Sequence, residues 1–284
     1  MKQLFTLIFL TLFVTAHAQE KRALLIGIGD YPTELGWNKI HGHNDIGIIK
    51  NTLIQQGFPV ENIRALINAE ASYDNIVKHM QQLLHSAKQG DIIYIHFSGH
   101  GQRITDCDED ETDGLDEAWI PYDAHRLYLK DVYEGEKHIT DDYLNEYLTQ
   151  LRQAIGGNGK IVVIADACHS GSGSRGDNDA YKRGSRDIFE IPNPVVTSVR
   201  KTNPVEWLFV AACKSYQTNY EYKDEHGHYY GSLSYSISKS SHQLLNIKYE
   251  DAIKIWTNTL RDISTYPQDL DNEGKPSTKH SNLF

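Results

Sequence analysis

Apolar residues in this chain fall into short, nearly continuous runs, separated by stretches where they recur every third or fourth position. The runs are Arg22–Gly29, Ile63–Ile67 (interrupted by Arg64), Ile92–Phe97 (interrupted by His96), Ile161–Ala165 and Trp207–Ala212. Runs this continuous suit strands buried on both faces, as in a parallel sheet. Between them, Asp45–Gln56 carries Ile46, Ile48, Ile49 and Leu53 at near-helical spacing, and Gly57 closes it. Ser72 is placed to cap a helix with Ile76, Met80, Leu83 and Leu84 on one face. Tyr143–Ile155 and Tyr249–Ile263 repeat the helical pattern. Strands alternating with helices at this spacing predict an α/β fold, with a mostly parallel central sheet flanked by helices.

The first eighteen residues stand outside that pattern. Met1–Lys2 is a short basic start, Leu4–Val14 is apolar, and Ala16–His17–Ala18 ends in small residues. This predicts a signal peptide over 1–18, cleavage near Ala18 and export to the periplasm or beyond the cell. The apolar run is too short to span a bilayer comfortably, and no later segment is apolar enough to try. Residues 19–284 then suit one large domain rather than two small ones. Within it, 172–203 is rich in Gly, Ser, Asp and Arg and reads as a long mobile loop.

Charge narrows the partners. The formal net charge is −10, which argues against nucleic acid, whose phosphates need basic patches. A monomer is expected, and no organic cofactor motif is present. The chain holds three cysteines, Cys107, Cys168 and Cys213, too few and too odd for a disulfide framework. At least one thiol stays unpaired, while a Cys107–Cys213 bridge is left open.

Two strand ends carry the chemistry. Ile92–Phe97 runs into Ser98–Gly99–His100–Gly101, and Ile161–Ala165 into Asp166–Ala167–Cys168. In open α/β sheets ligands bind beyond the carboxyl ends of strands. If the two strands are neighbours, His100 and Cys168 project from one edge as a base and a nucleophile. A thiol beside an imidazolium has its pKa lowered, and the thiolate is the attacking species. The amides of Gly101 and Cys168 would face a developing oxyanion. Ser170 and Cys213 are weaker nucleophile candidates, because nothing in their positions gives them a partner, and His169 is a weaker base, because an adjacent side chain rarely points at its neighbour.

His96–Gly101 and Asp166–Gly171 resemble the two signature motifs of the metacaspases, cysteine peptidases of the caspase-like clan. Weaker similarities follow in order: Gly42–Asp45, Asp113–Glu117 with Pro121–Asp123, Ile139–Asp142 and Ala211–Ser215. The resemblance implies a caspase-like three-layer sandwich and a dyad of Cys168 as nucleophile and His100 as base, then acid. It implies cleavage after Arg or Lys, with Asp45, Ser98 and Asp166 forming the pocket for the basic side chain. Paired carboxylates there would hold a guanidinium or an ammonium.

The resemblance also bears on an acidic loop. Eight of the twelve residues from Asp106 to Glu117 are acidic, and dense carboxylates suit Ca2+ when not merely solvated. Asp116, Asp141 and Asp142 match acids that the calcium-activated metacaspases use. A fourth falls on Arg175, with Asp177 nearby as a substitute. His41 with His43, and His226 with His228, lack convincing zinc spacing. A protease cutting after basic residues would find self-cleavage sites at Arg175, Lys182, Arg183, Arg186, Arg200 and Lys201. Two other readings remain: a caspase-clan peptidase of legumain or gingipain type, and a non-catalytic, calcium-responsive binding module.

Overall fold

Alternation along the central strands sorts their side chains onto two buried faces. The computed structural model describes residues 19–109, 111–168, 181–185, 187–194, 206–274 and 282–284. In chain order the elements are β1 (Lys21–Gly27), α1 (Gly42–Gln55), β2 (Ile63–Ile67), α2 (Tyr73–Ser86) and β3 (Ile92–Ser98). Next come β4 (Gly101–Thr105), β5 (Leu115–Trp119), β6 (Ile139–Thr140), α3 (Asp141–Ile155) and β7 (Lys160–Asp166). The remainder are β8 (Leu208–Ala211), β9 (Glu221–Lys223), β10 (Tyr229–Gly231), α4 (Ser232–Lys239), α5 (Tyr249–Ile263) and β11 (Asp271–Glu273).

The main sheet has the order β11-β8-β7-β3-β1-β2, parallel except for β11. Leu24, Ile26, Ile93, Ile95, Phe97, Ile161 and Val163 face one layer, where α2 and α3 add Ile76, Met80, Leu148 and Leu151. Ala23, Leu25, Tyr94, Val162 and Ile164 face the other, against Ile46, Ile49, Leu233 and Trp256 of α1, α4 and α5. The fold is therefore three layers around a mostly parallel sheet, as expected. Among the described residues no helix is long and apolar enough to cross a membrane. The predicted signal peptide lies outside the described residues.

Two differences from the sequence reading matter for the site. Helix α1 begins at Gly42, earlier than expected, because its first turn packs directly on strand ends. A Cβ on Gly42 would lie 2.4 Å from the Ser98 carbonyl oxygen and 2.5 Å from that of Ile28. Glycine thus seats Asp45, in the first turn, against β3. Helix α3 begins at Asp141, where the Thr140 hydroxyl accepts the Tyr143 amide at 3.3 Å. The apolar pattern also misses β4–β6, an antiparallel sheet, and the hairpin β9–β10. These strands are short and polar, so no unbroken apolar run marks them.

Candidate active site

Register makes the site. In the parallel pairing of β3 with β7, Ser98 stands opposite Asp166. His100 and Cys168 each follow two residues later, off the same sheet edge, and both are buried. The expected adjacency of the two strands therefore holds.

His100 is fixed in one tautomer. Its Nε2 lies 2.8 Å from the Asn38 carbonyl oxygen, which can only accept, so Nε2 carries the proton. The ring stacks on Trp37 at 4.9 Å and tilts against Tyr31, also at 4.9 Å. The Tyr31 hydroxyl accepts the His100 amide at 3.0 Å and donates to the Ile120 carbonyl at 2.9 Å. Nδ1, the basic nitrogen, is buried without a hydrogen-bond partner among the described residues. Burial lowers the ring's pKa to about 4, so the imidazole is neutral. That departs from the imidazolium expected beside the thiol. The reason is burial: Tyr31 and Trp37 pack on the ring and exclude the water an imidazolium needs, and the sheet edge beyond it is covered as well.

The cover is the chain itself. The Arg183 carbonyl oxygen accepts the Cys168 amide at 2.7 Å, and Ser185 donates its amide to the Gly101 carbonyl at 3.2 Å. Gly101 and Gly184 pair in parallel, which turns the Gly101 amide toward the same Arg183 carbonyl. On the other side, Arg183 donates its amide to the Asn219 carbonyl at 3.1 Å, and Glu221 donates to the Tyr181 carbonyl at 3.0 Å. Of the segment expected to be a loop, the described residues are 181–185 and 187–194, and Arg183 and Phe189 within them are fully buried. Lys182 and Arg183 are the described candidates for self-cleavage; Arg175, Arg186, Arg200, Lys201, Asp177, His169 and Ser170 lie outside the described residues.

The Arg183 side chain fills the pocket anticipated for a basic residue. Nη1 donates to Asp45 Oδ2 at 2.7 Å and Ser98 Oγ at 2.5 Å, and lies 3.6 Å from Asp166 Oδ1. Ser98 also donates to Asp45. Asp166 is oriented by Asn219 Nδ2 at 2.8 Å and by the Ser234 amide and hydroxyl, both at 2.7 Å. Burial raises the Asp45 carboxyl to about 6, and the Arg183 charge only partly offsets this. Asp45, Ser98 and Asp166 do come together, though from three separate elements.

A fourth wall escaped the sequence. Glu221 Oε1 accepts from Arg183 Nε at 3.0 Å and Nη2 at 2.9 Å. His41 approaches Glu221 Oε2 through Nδ1 at 2.6 Å and donates its amide to Oε1 at 2.7 Å. Burial pushes the Glu221 carboxyl up, but Arg183 and His41 outweigh it and hold the pKa below the usual range. Gly231 leaves room for all this: a Cβ there would sit 2.2 Å from Asp166 Oδ2 and 2.4 Å from Arg183 Nη1. No spacing signal links Glu221 to Cys168, since hairpin β9–β10 folds back from a distant part of the chain.

The other two thiols settle more simply. None of the three cysteines is in a disulfide, so the Cys107–Cys213 bridge does not form. Cys168 Sγ donates to the Gln217 carbonyl at 2.9 Å, and Cys213 lies near the same oxygen at 3.6 Å. A hydrogen bond with Cys168 first, then burial, keeps the Cys213 thiol well above its ordinary pKa, which suits packing rather than attack.

The acidic loop is half organised. Asp106 folds it locally, accepting the amides of Asp108, Glu109 and Glu111 at 2.7–3.0 Å. Asp116 Oδ1 is buried without a partner among the described residues. Burial first, then the charges of Asp141 and Asp142, raise the Asp116 carboxyl to about 8. Burial, Glu117 and Asp142 likewise raise Asp141 to about 7. Among the described residues, no three acids, histidines or cysteines converge closely enough to hold an ion as they stand. His41 is occupied by Glu221, and His226 and His228 lie on the exposed β9–β10 turn.

Comparisons with known proteins bear on all of this. The model of the metacaspase family, the peptidase C14 domain, matches residues 21–174. Metacaspase-7 of Arabidopsis thaliana is 32% identical over 159 residues, covering 53% of this chain and 35% of its own length. Metacaspase-1B of Aspergillus fumigatus is 26% identical over 282 residues, covering 83% of this chain and 65% of its own. The chain spans little more than a third of the length of the first relatives it matches. A crystal structure of a protein from Geobacter sulfurreducens superposes with a TM-score of 0.65 at 18% identity, covering 93% of this chain and 98% of that one.

Proposed function

Since this chain belongs to the metacaspase family of cysteine-type endopeptidases, we propose that it cuts peptide bonds after basic residues through Cys168 and His100, starting with its own Arg183–Gly184 bond. One observation carries this reading. Arg183 presents its carbonyl to the Cys168 amide at 2.7 Å, while its guanidinium sits among Asp45, Ser98, Asp166 and Glu221. Two requirements for attack are thereby met: the carbonyl lies against the Cys168 amide, and the basic side chain fills the pocket.

The steps follow from the groups present. His100 Nδ1 takes the proton from Cys168 Sγ, and the sulfur attacks the Arg183 carbonyl carbon. The developing oxyanion is held by the amides of Cys168 and Gly101. The proton on Nδ1 then passes to the Gly184 nitrogen, the C–N bond breaks, and a thioester remains on Cys168. Water, deprotonated by the same Nδ1, attacks the thioester; the C–S bond breaks, the Arg183 carboxylate is released, and the proton on Nδ1 returns to Cys168 Sγ. A neutral, buried imidazole with a vacant Nδ1 is ready for the first transfer. The thiol still donates to Gln217, so the resting pair is uncharged and ionises only as attack begins.

Calcium is the activator we propose. The raised carboxyls of Asp116 and Asp141, and the Asp116 oxygen without a partner among the described residues, fit a site for a cation. Asp116, Asp141 and Asp142 would hold the ion, whose charge would favour their ionised forms. We also propose export through residues 1–18. The deciding experiment compares the purified chain with its Cys168→Ala variant, with calcium and with chelator. Wild type should yield two fragments, the second beginning at Gly184, and the variant none. An intact wild-type chain that also leaves Arg- and Lys-ended peptides uncut would favour the binding-module reading.

A further inference from the structure

The same segment shows more than the residue before the cut. Resting on the reading that residues 181–184 lie as a substrate does, we infer that the preferred substrates are aromatic–X–Arg sequences rather than basic peptides at large. Glu221 selects Arg over Lys, and the His41–Tyr229 pair receives the aromatic side chain.

Residues 181–183 run antiparallel to 219–221, with Lys182 opposite Tyr220. In an extended strand, side chains two apart share a face, so Tyr181 and Arg183 point the same way. Arg183 enters the pocket. Tyr181 meets His41 edge-on at 4.6 Å and Tyr229 at 4.9 Å, while His41 and Tyr229 stack at 4.8 Å. The two stacked rings form a wall against which another ring fits in the edge-to-face arrangement that aromatic quadrupoles favour. Lys182 points the other way, its Nζ 5.7 Å from the Tyr220 ring centre.

Glu221 joins the two positions. Its Oε1 takes both Nε and Nη2 of Arg183, two nitrogens that lysine does not have. A lysine could still reach Asp45 and Ser98 with its single ammonium. It would leave Glu221, a fully buried carboxylate side chain, facing only His41. Leaving a buried charge short of its partners is what makes a polar pocket discriminate strongly. Because His41 grips Glu221 with both its ring and its amide, one histidine shapes both the arginine pocket and the aromatic wall.

Four fluorogenic peptides test this on the full chain incubated with calcium: Tyr-Lys-Arg, Ala-Lys-Arg, Tyr-Lys-Lys and Tyr-Lys-Asp. In kcat/KM, Tyr-Lys-Arg should exceed Tyr-Lys-Lys by about 100-fold, given two lost charge-assisted hydrogen bonds. It should exceed Ala-Lys-Arg by about tenfold, given one lost aromatic packing site. Glu221→Ala should collapse the Arg-to-Lys ratio mainly through KM, and Tyr229→Ala the Tyr-to-Ala ratio. Equal rates for Arg and Lys in wild type would overturn the role of Glu221, and equal rates for Tyr and Ala that of His41–Tyr229. The wild-type ratios need no variant to fold. Cleavage of the Asp peptide alone, or of none, would instead overturn the basic-residue reading itself.

Discussion

The Arg183 carbonyl oxygen stands 2.7 Å from the Cys168 amide nitrogen, so the backbone of Cys168 holds a peptide bond of its own chain. That bond lies between Arg183 and Gly184, and Gly184 approaches so closely that a Cβ there would fall 2.3 Å from the Cys168 carbonyl oxygen. As folded, the pocket of Asp45, Ser98, Asp166 and Glu221 is therefore filled by Arg183 of the same chain. On the proposed reading, an outside peptide finds no free pocket until this segment is cut or displaced.

Arg183 should be costly to remove. Its guanidinium and the side chains of Asp45, Asp166 and Glu221 are all fully buried. Arg183→Gln is expected to abolish cleavage at 183–184 and to lower unfolding free energy by about 3 kcal/mol, the cost of leaving buried carboxylates unpaired. Denaturant melts in a Cys168→Ala background separate the stability effect from processing. Unchanged stability would mean that the three acids take up protons instead.

Gly231→Ala should close the pocket without unfolding the chain. Gly231 has φ −63° and ψ 136°, backbone that alanine adopts freely, so the effect is steric alone. Overpacking of this kind costs about 1–3 kcal/mol, so KM for Arg peptides should rise roughly 10- to 100-fold. Circular dichroism should stay native while the steady-state kinetics change.

Acid should stop self-cleavage as His100 is protonated. Burial places its pKa at about 4, below the ordinary 6.5. The basic Nδ1 is then available above about pH 4 and lost below it. The linked stability has the same sign: a histidine buried neutral stabilises the fold above its unfolded pKa and loses that contribution as pH falls from 6.5 toward 4. Fragment yield against pH should show one acidic limb in this region. His100→Ala should cut the rate by about a thousandfold, the scale of a lost general base.

Calcium should matter most at alkaline pH. Asp116 and Asp141 have carboxyls raised to about 8 and about 7 from an ordinary 3.8. Groups raised in the folded state stabilise it fully below the unfolded pKa, and that contribution is lost as pH rises through the folded value. Without calcium, the melting temperature should fall between about pH 5 and pH 8. With calcium the fall should shrink, because the ion takes the place of the protons. In Asp116→Asn both the slope and the calcium response should diminish. Identical melting curves with ion and with chelator across this range would remove calcium from the account.

What the sequence determined is what short-range pattern can encode. Nearly continuous apolar runs identified β3 and β7 as buried strands, with His100 and Cys168 just beyond their ends. Asp45, Ser98 and Asp166 were singled out only through the resemblance of short motifs to a family. The register that sets Ser98 opposite Asp166, and the helix start that brings Asp45 to them, belong to the fold. Tertiary structure decided the rest, because the rest depends on contacts between segments with no common period. Arg183 looks in sequence like one of several loop charges; only the fold shows that three buried carboxylates converge on it and that Cys168 takes its carbonyl. Glu221 and Asn219 belong to a polar stretch that no apolar run announces. The hairpin β9–β10 and the start of α4 carry Glu221, Gly231 and Ser234 back to the sheet edge. Nor could the sequence foresee a neutral His100, since its pKa is set by burial among Tyr31, Trp37 and Asn38, brought to it by the fold.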